Sequence, residues 1–219
     1  VGYCQNQLKK ASNTATFKKF LVDTLKYGSK AQVYVNHNAS VLAIDQIDEA
    51  YKALGTSELV SVVDNLNQEY KVIENATTVF RGASLYLQDS IAVRYTFRVE
   101  EGVSIDDVTL KVSVPAVGNW TITSENFVEK SDSVGTYYQV DFTGLNPDHM
   151  KEIIYTTLYV DGVEASNTIT YSIESYVARY SGSNTALREM IQAMMQYGES
   201  AIEYVAEQEN IRLAEGVSS

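Results

Sequence analysis

Ile91-Ala92-Val93-Arg94-Tyr95-Thr96-Phe97-Arg98-Val99 changes character at every step. Ile91, Val93, Tyr95, Phe97 and Val99 are apolar or aromatic, and Ala92, Arg94, Thr96 and Arg98 fall between them. A period of two sends successive side chains to opposite faces of an extended chain, so the stretch predicts a strand with one dry face and one wet one. The pattern returns at once: Val108, Leu110, Val112 and Val114 alternate with Thr109, Lys111 and Ser113. Further strands are expected at Ala83 to Leu87, Asn119 to Thr123, Phe127 to Lys130, Tyr137 to Phe142, Glu152 to Val160 and Thr168 to Val177. Turn-forming groups punctuate them at Glu101-Gly102, Val117-Gly118-Asn119, Ser133-Val134-Gly135, Asn146-Pro147-Asp148 and Asp161-Gly162. Short strands at regular spacing with no helical stretch between them predict an antiparallel β-sandwich, because parallel strands need crossover connections that this segment lacks.

Both ends of the chain have a different period. After Ser12-Asn13-Thr14, apolar residues recur at Phe17, Phe20, Leu21, Leu25, Ala31, Tyr34 and Val35, which is helical spacing. The same signature returns in Leu187 to Val205, without a gap, at a spacing of 170 residues. Leu21 aligns with Ile191, Leu25 with Met195, Tyr27-Gly28 with Tyr197-Gly198, Ala31 with Ala201 and Tyr34-Val35 with Tyr204-Val205. Ser-Asn-Thr-Ala precedes both copies, at Ser12 and at Ser183, and Tyr3 and Tyr176 stand upstream. A motif that closes one unit and then the next marks a repeat, so the chain is expected to be one full unit plus the tail of a predecessor. Glycine in a helix interior costs about 1 kcal/mol relative to alanine. Its recurrence at 28 and 198 predicts a notch where another backbone comes close to each helix. Two shorter helices are expected at Asp45 to Leu54 and Ser57 to Leu66. The long final helix is expected over Asn184 to about Glu207, with Met190, Met194 and Met195 filling core gaps.

The expected organisation is therefore α+β: a helical segment over 1–71, an immunoglobulin-like antiparallel sandwich over 72–181, and a helical segment over 182–219 that packs with the first. The chain has 219 residues and a net charge of -11, with 28 acidic against 17 basic side chains. That balance argues against nucleic acid or an anionic membrane surface, both of which call for clustered Lys and Arg. No stretch approaches the roughly 20 apolar residues of a membrane span. A single cysteine, Cys4, allows no internal disulfide and reads as a free thiol. Val1 is not an initiator Met, so the segment is expected to be cut from a larger precursor.

Tyrosine is the outlier of the composition, 16 against 6 Phe and 1 Trp. Its ring buries while its hydroxyl stays wet, which suits half-buried strands and contact surfaces. Sugar rings stack on flat aromatics while amides and carboxylates hold their hydroxyls. The candidate ligand-binding residues are thus Trp120 beside Asn119; Tyr137, Gln139 and Asp141 on one strand face; and Tyr155 with Tyr159 on another. Against this, Trp120 alternates with Ile122 in the manner of a core tryptophan. Asp106-Asp107, Asn146-Pro147-Asp148 and Asp161-Gly162 offer oxygen ligands suited to Ca²⁺, without an EF-hand loop. No other cofactor is expected. His37 and His149 have no catalytic context, and no phosphate-binding glycine loop, Gly-x-Ser-x-Gly or His-Glu-x-x-His is present. The chain is read as a non-enzyme.

Several segments taken together resemble a known kind of module: Gly82-Ala83-Ser84-Leu85 leading to Ser90-Ile91-Ala92-Val93-Arg94-Tyr95, the turn Gly144-Leu145-Asn146-Pro147, Thr170-Tyr171-Ser172-Ile173-Glu174-Ser175-Tyr176, and the helix from Met195-Gln196-Tyr197-Gly198 through Tyr204. They are similar to repeated modules of large surface proteins secreted by anaerobic gut bacteria of the Firmicutes type. Leu25 to Val35, followed by Asn38 to Leu42, resembles the tail of the preceding module. The resemblance implies an extracellular, sandwich-type module in multidomain proteins, with neighbouring repeats as its first partners and no catalytic residues to carry over. Ser29-Lys30-Ala31 and Glu199-Ser200-Ala201 depart from it where an alanine-rich run is usual. The functional expectation is a non-catalytic structural or interaction module at the cell surface, or alternatively a module that binds a polysaccharide or another surface protein.

Overall fold

A computed structural model describes residues 1–37, 40–66, 73–74, 76–87 and 90–215. The chain forms two compact units. One comprises 63–146 and 151–179, and the other 1–62, 147–150 and 180–219. The expected boundary at 71/72 and the Asn38 end of the first tail fall outside the described residues.

The first unit is the sandwich. Its strands are β1 (Thr78–Leu87), β2 (Ile91–Val99), β3 (Val108–Val114), β4 (Gly118–Thr123), β5 (Val128–Asp132), β6 (Gly135–Phe142), β7 (Ile154–Val160), β8 (Val163–Glu164) and β9 (Ile169–Tyr171). They make two antiparallel sheets, ordered β1-β2-β6-β5 and β4-β3-β7-β8, with β9 pairing β7. Successive hairpins alternate between the sheets, which is the A-B-E-D and C′-C-F-G arrangement of an immunoglobulin-like sandwich. From Val93 to Phe97 the alternation in β2 sorts as expected, with Val93, Tyr95 and Phe97 buried and Arg94 and Thr96 half-buried between them, but Ala92, expected on the wet face, is buried, and Ile91 and Val99 at the strand ends are only half-buried. Leu110, Val112 and Val114 of β3, Ile154 and Leu158 of β7, and Val140 and Phe142 of β6 complete the core. The β7–β8 hairpin turns on Asp161 and Gly162, both at positive φ (49° and 78°). This Asp-Gly pair gives the turn whose twist matches that of its strands.

The expected strand at Thr168 to Val177 is cut short. It ends at Tyr171, and α4 (Ile173–Arg179) follows. The Ser172 hydroxyl accepts the Ser175 amide at 3.0 Å and so caps the helix start, a local bond that competes with the strand ladder. The expected helix at Ser57 to Leu66 does not form either. Its Asn65 amide donates to Ser175 Oγ (2.9 Å), and Asn65 Nδ2 donates to the Lys151 carbonyl (2.7 Å). Tertiary partners thus take the polar groups that a helix would have needed.

The second unit is helical: α1 (Gly2–Lys9), α2 (Ala15–Tyr34), a 3-10 turn (Ala43–Gln46), one turn of helix α3 (Glu49–Lys52) and α5 (Thr185–Ala214). In place of the single helix expected from Asp45 to Leu54, only the two short pieces occur. Leu8, Leu21, Val22, Leu25 and Ile47 form one core cluster, with Cys4, a free thiol, partly buried beside it. Ser29 and Gln32 of α2 clamp the next segment: Ser29 Oγ accepts the Ile44 amide (2.8 Å), and Gln32 Oε1 accepts the Ala43 amide (2.9 Å). Helix α5 runs past the expected end at Glu207 to Ala214.

Candidate functional site

Strand register places Tyr137, Gln139 and Asp141 on the outer face of the β1-β2-β6-β5 sheet. Asp141 lies opposite Arg94, Gln139 opposite Thr96, and Tyr137 opposite Lys130. Two charged clusters bracket Gln139. In one, Arg94 Nε and Nη2 each donate to an Asp141 carboxylate oxygen at 2.7 Å, and the guanidinium lies 3.4 Å from the Tyr86 ring centroid. The Asp141 hydrogen bond, more than any other effect, raises the Arg94 pKa, so this arginine stays charged throughout. In the other, Asp132 accepts from Arg81 Nη1 (2.7 Å) and Arg98 Nη2 (2.9 Å), while Arg81 sits 4.7 Å over the Tyr137 ring. The Val134 amide, and after it Arg81, holds the Asp132 carboxyl below its usual range. A shallow depression of about 340 Å3 lies at the second cluster, lined by Arg81 and Asp132 with Ser84, Thr96, Tyr137 and Gln139.

Tyr155 and Tyr159 do not extend this face. They project from β7 on the outer face of the other sheet, in register with Ser113 and Thr109. Lys111 Nζ lies 3.8 Å over the Tyr159 ring, whose hydroxyl donates to Glu164 Oε1 at 3.2 Å. Tyr155 is 40% exposed. Trp120 is on neither surface: it pairs with the buried Val112, and its half-buried ring meets Phe142 edge-on at 5.0 Å. The six candidates therefore divide among two opposite faces and the interior. Tyr86, Arg81, Arg94 and Arg98 are the members that sequence reasoning missed. Alternation with core residues marked Arg94 and Arg98 as outward, Arg81 lies ahead of the strand expected from Ala83, and only the register shows which carboxylate each meets.

The calcium candidates are spread over separate turns. Asp106 accepts from Ser124 Oγ at 3.4 Å, Asp148 lies beside His149, and Asp161 forms the β7–β8 turn. Among the described residues, no three His, Cys, Asp or Glu side chains converge as a metal site would require. No helix among them is long and apolar enough to cross a membrane.

The second arrangement with evident design is the pair of repeated helices. Thr14 and Asn184 cap α2 and α5, each accepting the amide of the third residue on, Phe17 or Leu187. These caps align at the spacing of the helices, although the two Ser-Asn-Thr-Ala tetrads are offset from it by one residue. The capping role therefore passes from asparagine in one copy to threonine in the other, both good N-caps. The helices run antiparallel, as three links show: Thr14 to Glu207 (2.7 Å), Lys19 to Glu203 (2.7 Å) and Lys30 to Glu189 (2.7 Å). At the centre, Tyr27 stacks on Tyr197 with centroids 5.8 Å apart and planes at 4°. These are equivalent residues of the repeat, so each copy of the signature tyrosine meets its own counterpart. Phe20 stacks on Tyr197 and Tyr204 at 5.5 and 5.4 Å, and Phe17 meets Tyr204 at 5.1 Å. Burial, the largest cause, raises the pKa of both central tyrosines.

The expected close approach of another backbone is found at Gly198 and not at Gly28. A Cβ on Gly198 would lie 2.9 Å from the Pro147 carbonyl oxygen and 3.3 Å from Met150 Sδ, whereas one on Gly28 would meet nothing within 4 Å.

Compared with protein-family models, curated proteins and solved structures, the chain matches none.

Proposed function

We propose that this chain is a non-catalytic structural and interaction module of a secreted or surface-attached multidomain bacterial protein, and that its repeated helix is a pairing device. The stacking of Tyr27 on Tyr197 carries the reading. When the most recognisable residue of a repeat meets its own counterpart, the repeat is built to bind itself. Such an interface is isologous, and because each copy spends the same face on the other it closes after one pairing. An array built this way would join its units in twos. The neighbouring repeats, with their like helices, are the natural partners, and the resemblance to extracellular modules supports a place at the cell surface.

A double-mutant cycle on Tyr27→Ala and Tyr197→Ala tests the pairing. Aromatic pairs couple by about 0.5–1.5 kcal/mol beyond their burial. Additive losses in thermal unfolding would remove the pairing device.

Polysaccharide binding is the second reading, and one observation favours it. Gln139, an amide able to hold a sugar hydroxyl, lines the same depression as Tyr137. Against it, Arg81 covers the Tyr137 ring and Lys111 the Tyr159 ring, so the surfaces on which a sugar would stack already hold cations. Affinity electrophoresis against starches, β-glucans, xylans and mucin decides between the two. Retardation that Tyr137→Ala abolishes without loss of folding would replace the proposal with sugar binding.

A further inference from the structure

The two equivalent glycines have unequal surroundings. Gly198 is buried beneath the Pro147–Met150 turn, whose Pro147 carbonyl and Met150 sulfur come so close that no side chain fits. Its flanking residues Met194 and Ala201 are buried, and Met150 itself is 2% exposed. Gly28 occupies the same position in the other copy of the helix, yet it is half-exposed with open space above it, and its flanking residues Thr24 and Ala31 are likewise only half-buried. Nothing in α2 needs a glycine there: φ is helical, no backbone approaches, and alanine would favour the helix by about 1 kcal/mol. In the 170-residue register of the repeat, the open space over Gly28 corresponds to the place that the Pro147–Met150 turn fills over Gly198.

We infer that the Thr24-Gly28-Ala31 notch of α2 is a docking site for the Pro-x-x-Met turn of a second sandwich unit of this sequence pattern, placed ahead of α1 in the same polypeptide. The inference rests on the module reading above. A free second copy of this chain does not qualify as the occupant, because its turn is already engaged by its own Gly198. The donor must be a unit whose following signature helix is α2 itself. The Pro carbonyl would then rest on Gly28 and the Met side chain against Thr24 and Ala31, so that each copy of the helix carries a turn at its glycine.

The test compares the complete chain with the same chain carrying a second copy of residues 63–173 ahead of Val1. This junction puts Tyr3 in the place of Tyr176 and leaves three more residues between that tyrosine and α2 than separate Tyr176 from α5. In a Cys4→Ser background, Ala31→Cys is expected to react freely with a thiol reagent in the chain alone and at least about tenfold more slowly in the extended protein, as burial of the site requires. Gly28→Leu is expected to leave the melting temperature of the chain alone unchanged or raised, and to lower that of the extended protein by several degrees, as overpacking does. Equal thiol reactivity at position 31 in the two proteins, together with a harmless Gly28→Leu in both, would overturn the inference. If the Tyr27–Tyr197 coupling survives that result, only the docking site is lost; if the coupling is also absent, the module reading fails with it.

Discussion

Helices α2 and α5 share a signature but not a burial pattern. In α5, Met190, Ile191, Ala193, Met194, Met195, Ser200 and Ala201 are all buried, so packing surrounds much of the helix. In α2 the buried set is Leu21, Val22, Asp23, Leu25 and Ser29. The positions buried in both are Leu21/Ile191, Asp23/Ala193 and Leu25/Met195, beside the tyrosine seam between the helices. The rest diverges, and one shared buried position differs in kind. Where α5 has Ala193, α2 has Asp23, wholly buried, which accepts the Thr56 amide at 2.8 Å and the Thr56 hydroxyl at 2.6 Å. The repeat thus keeps what the two copies do to each other and lets each copy specialise toward its own surroundings.

The comparison can be broken most forcefully at Gly198. Gly198→Leu drives a side chain into the Pro147 carbonyl. It is expected to destabilise the helical unit by on the order of 3 kcal/mol, a fall in melting temperature of roughly 10 °C at this chain length. Asp23→Ala comes next. It strands two donors of the half-buried Thr56 and should cost about 2 kcal/mol, measurable by urea denaturation; Ala193→Gly, its counterpart in α5, should cost only about 1 kcal/mol in helix propensity plus a small packing loss. A loss at Asp23 no larger than that at Ala193 would mean the latch to Thr56 contributes little. Gly28→Ala has the opposite sign to Gly198→Leu: with open space above it, the chain alone should gain about 1 kcal/mol, seen as a melting temperature higher by roughly 2–4 °C. A loss there would show that the two glycines are constrained alike. The smallest effect is at the rim. Lys30→Ala removes an ion pair whose two side chains are both largely exposed, so the change should be under about 1 kcal/mol and shrink further in high salt.

The sandwich is legible in the sequence because its physics is local. Alternation in Ile91 to Val99 and Val108 to Val114 fixes which side chains are dry, and an Asp-Gly turn fixes a hairpin, before any long-range contact is made. The strand expected at Thr168 to Val177 misleads because its apolar content suits both structures, and a single capping bond from Ser172 decides for helix after Tyr171. Ser57 to Leu66 misleads for the opposite reason: its helix propensity yields to hydrogen bonds with residues more than a hundred positions away. The candidate site is partly legible. Tyr137, Gln139 and Asp141 follow from period two as neighbours on one face. That Arg81 covers Tyr137, or that Arg94 grips Asp141, depends on strand register and on a bulge between Phe80 and Gly82.

By itself, the sequence determined the α+β character, the antiparallel sandwich and the existence of a twice-used helix, since each rests on periodicity or identity along the chain. Tertiary structure alone decided that the two helices pack face to face about their tyrosines. It also decided that Tyr137 and Tyr155 occupy opposite faces, and that only one of two identical glycines is filled. Those outcomes depend on which distant segments meet, and a local pattern of residue types does not encode the partner it will touch.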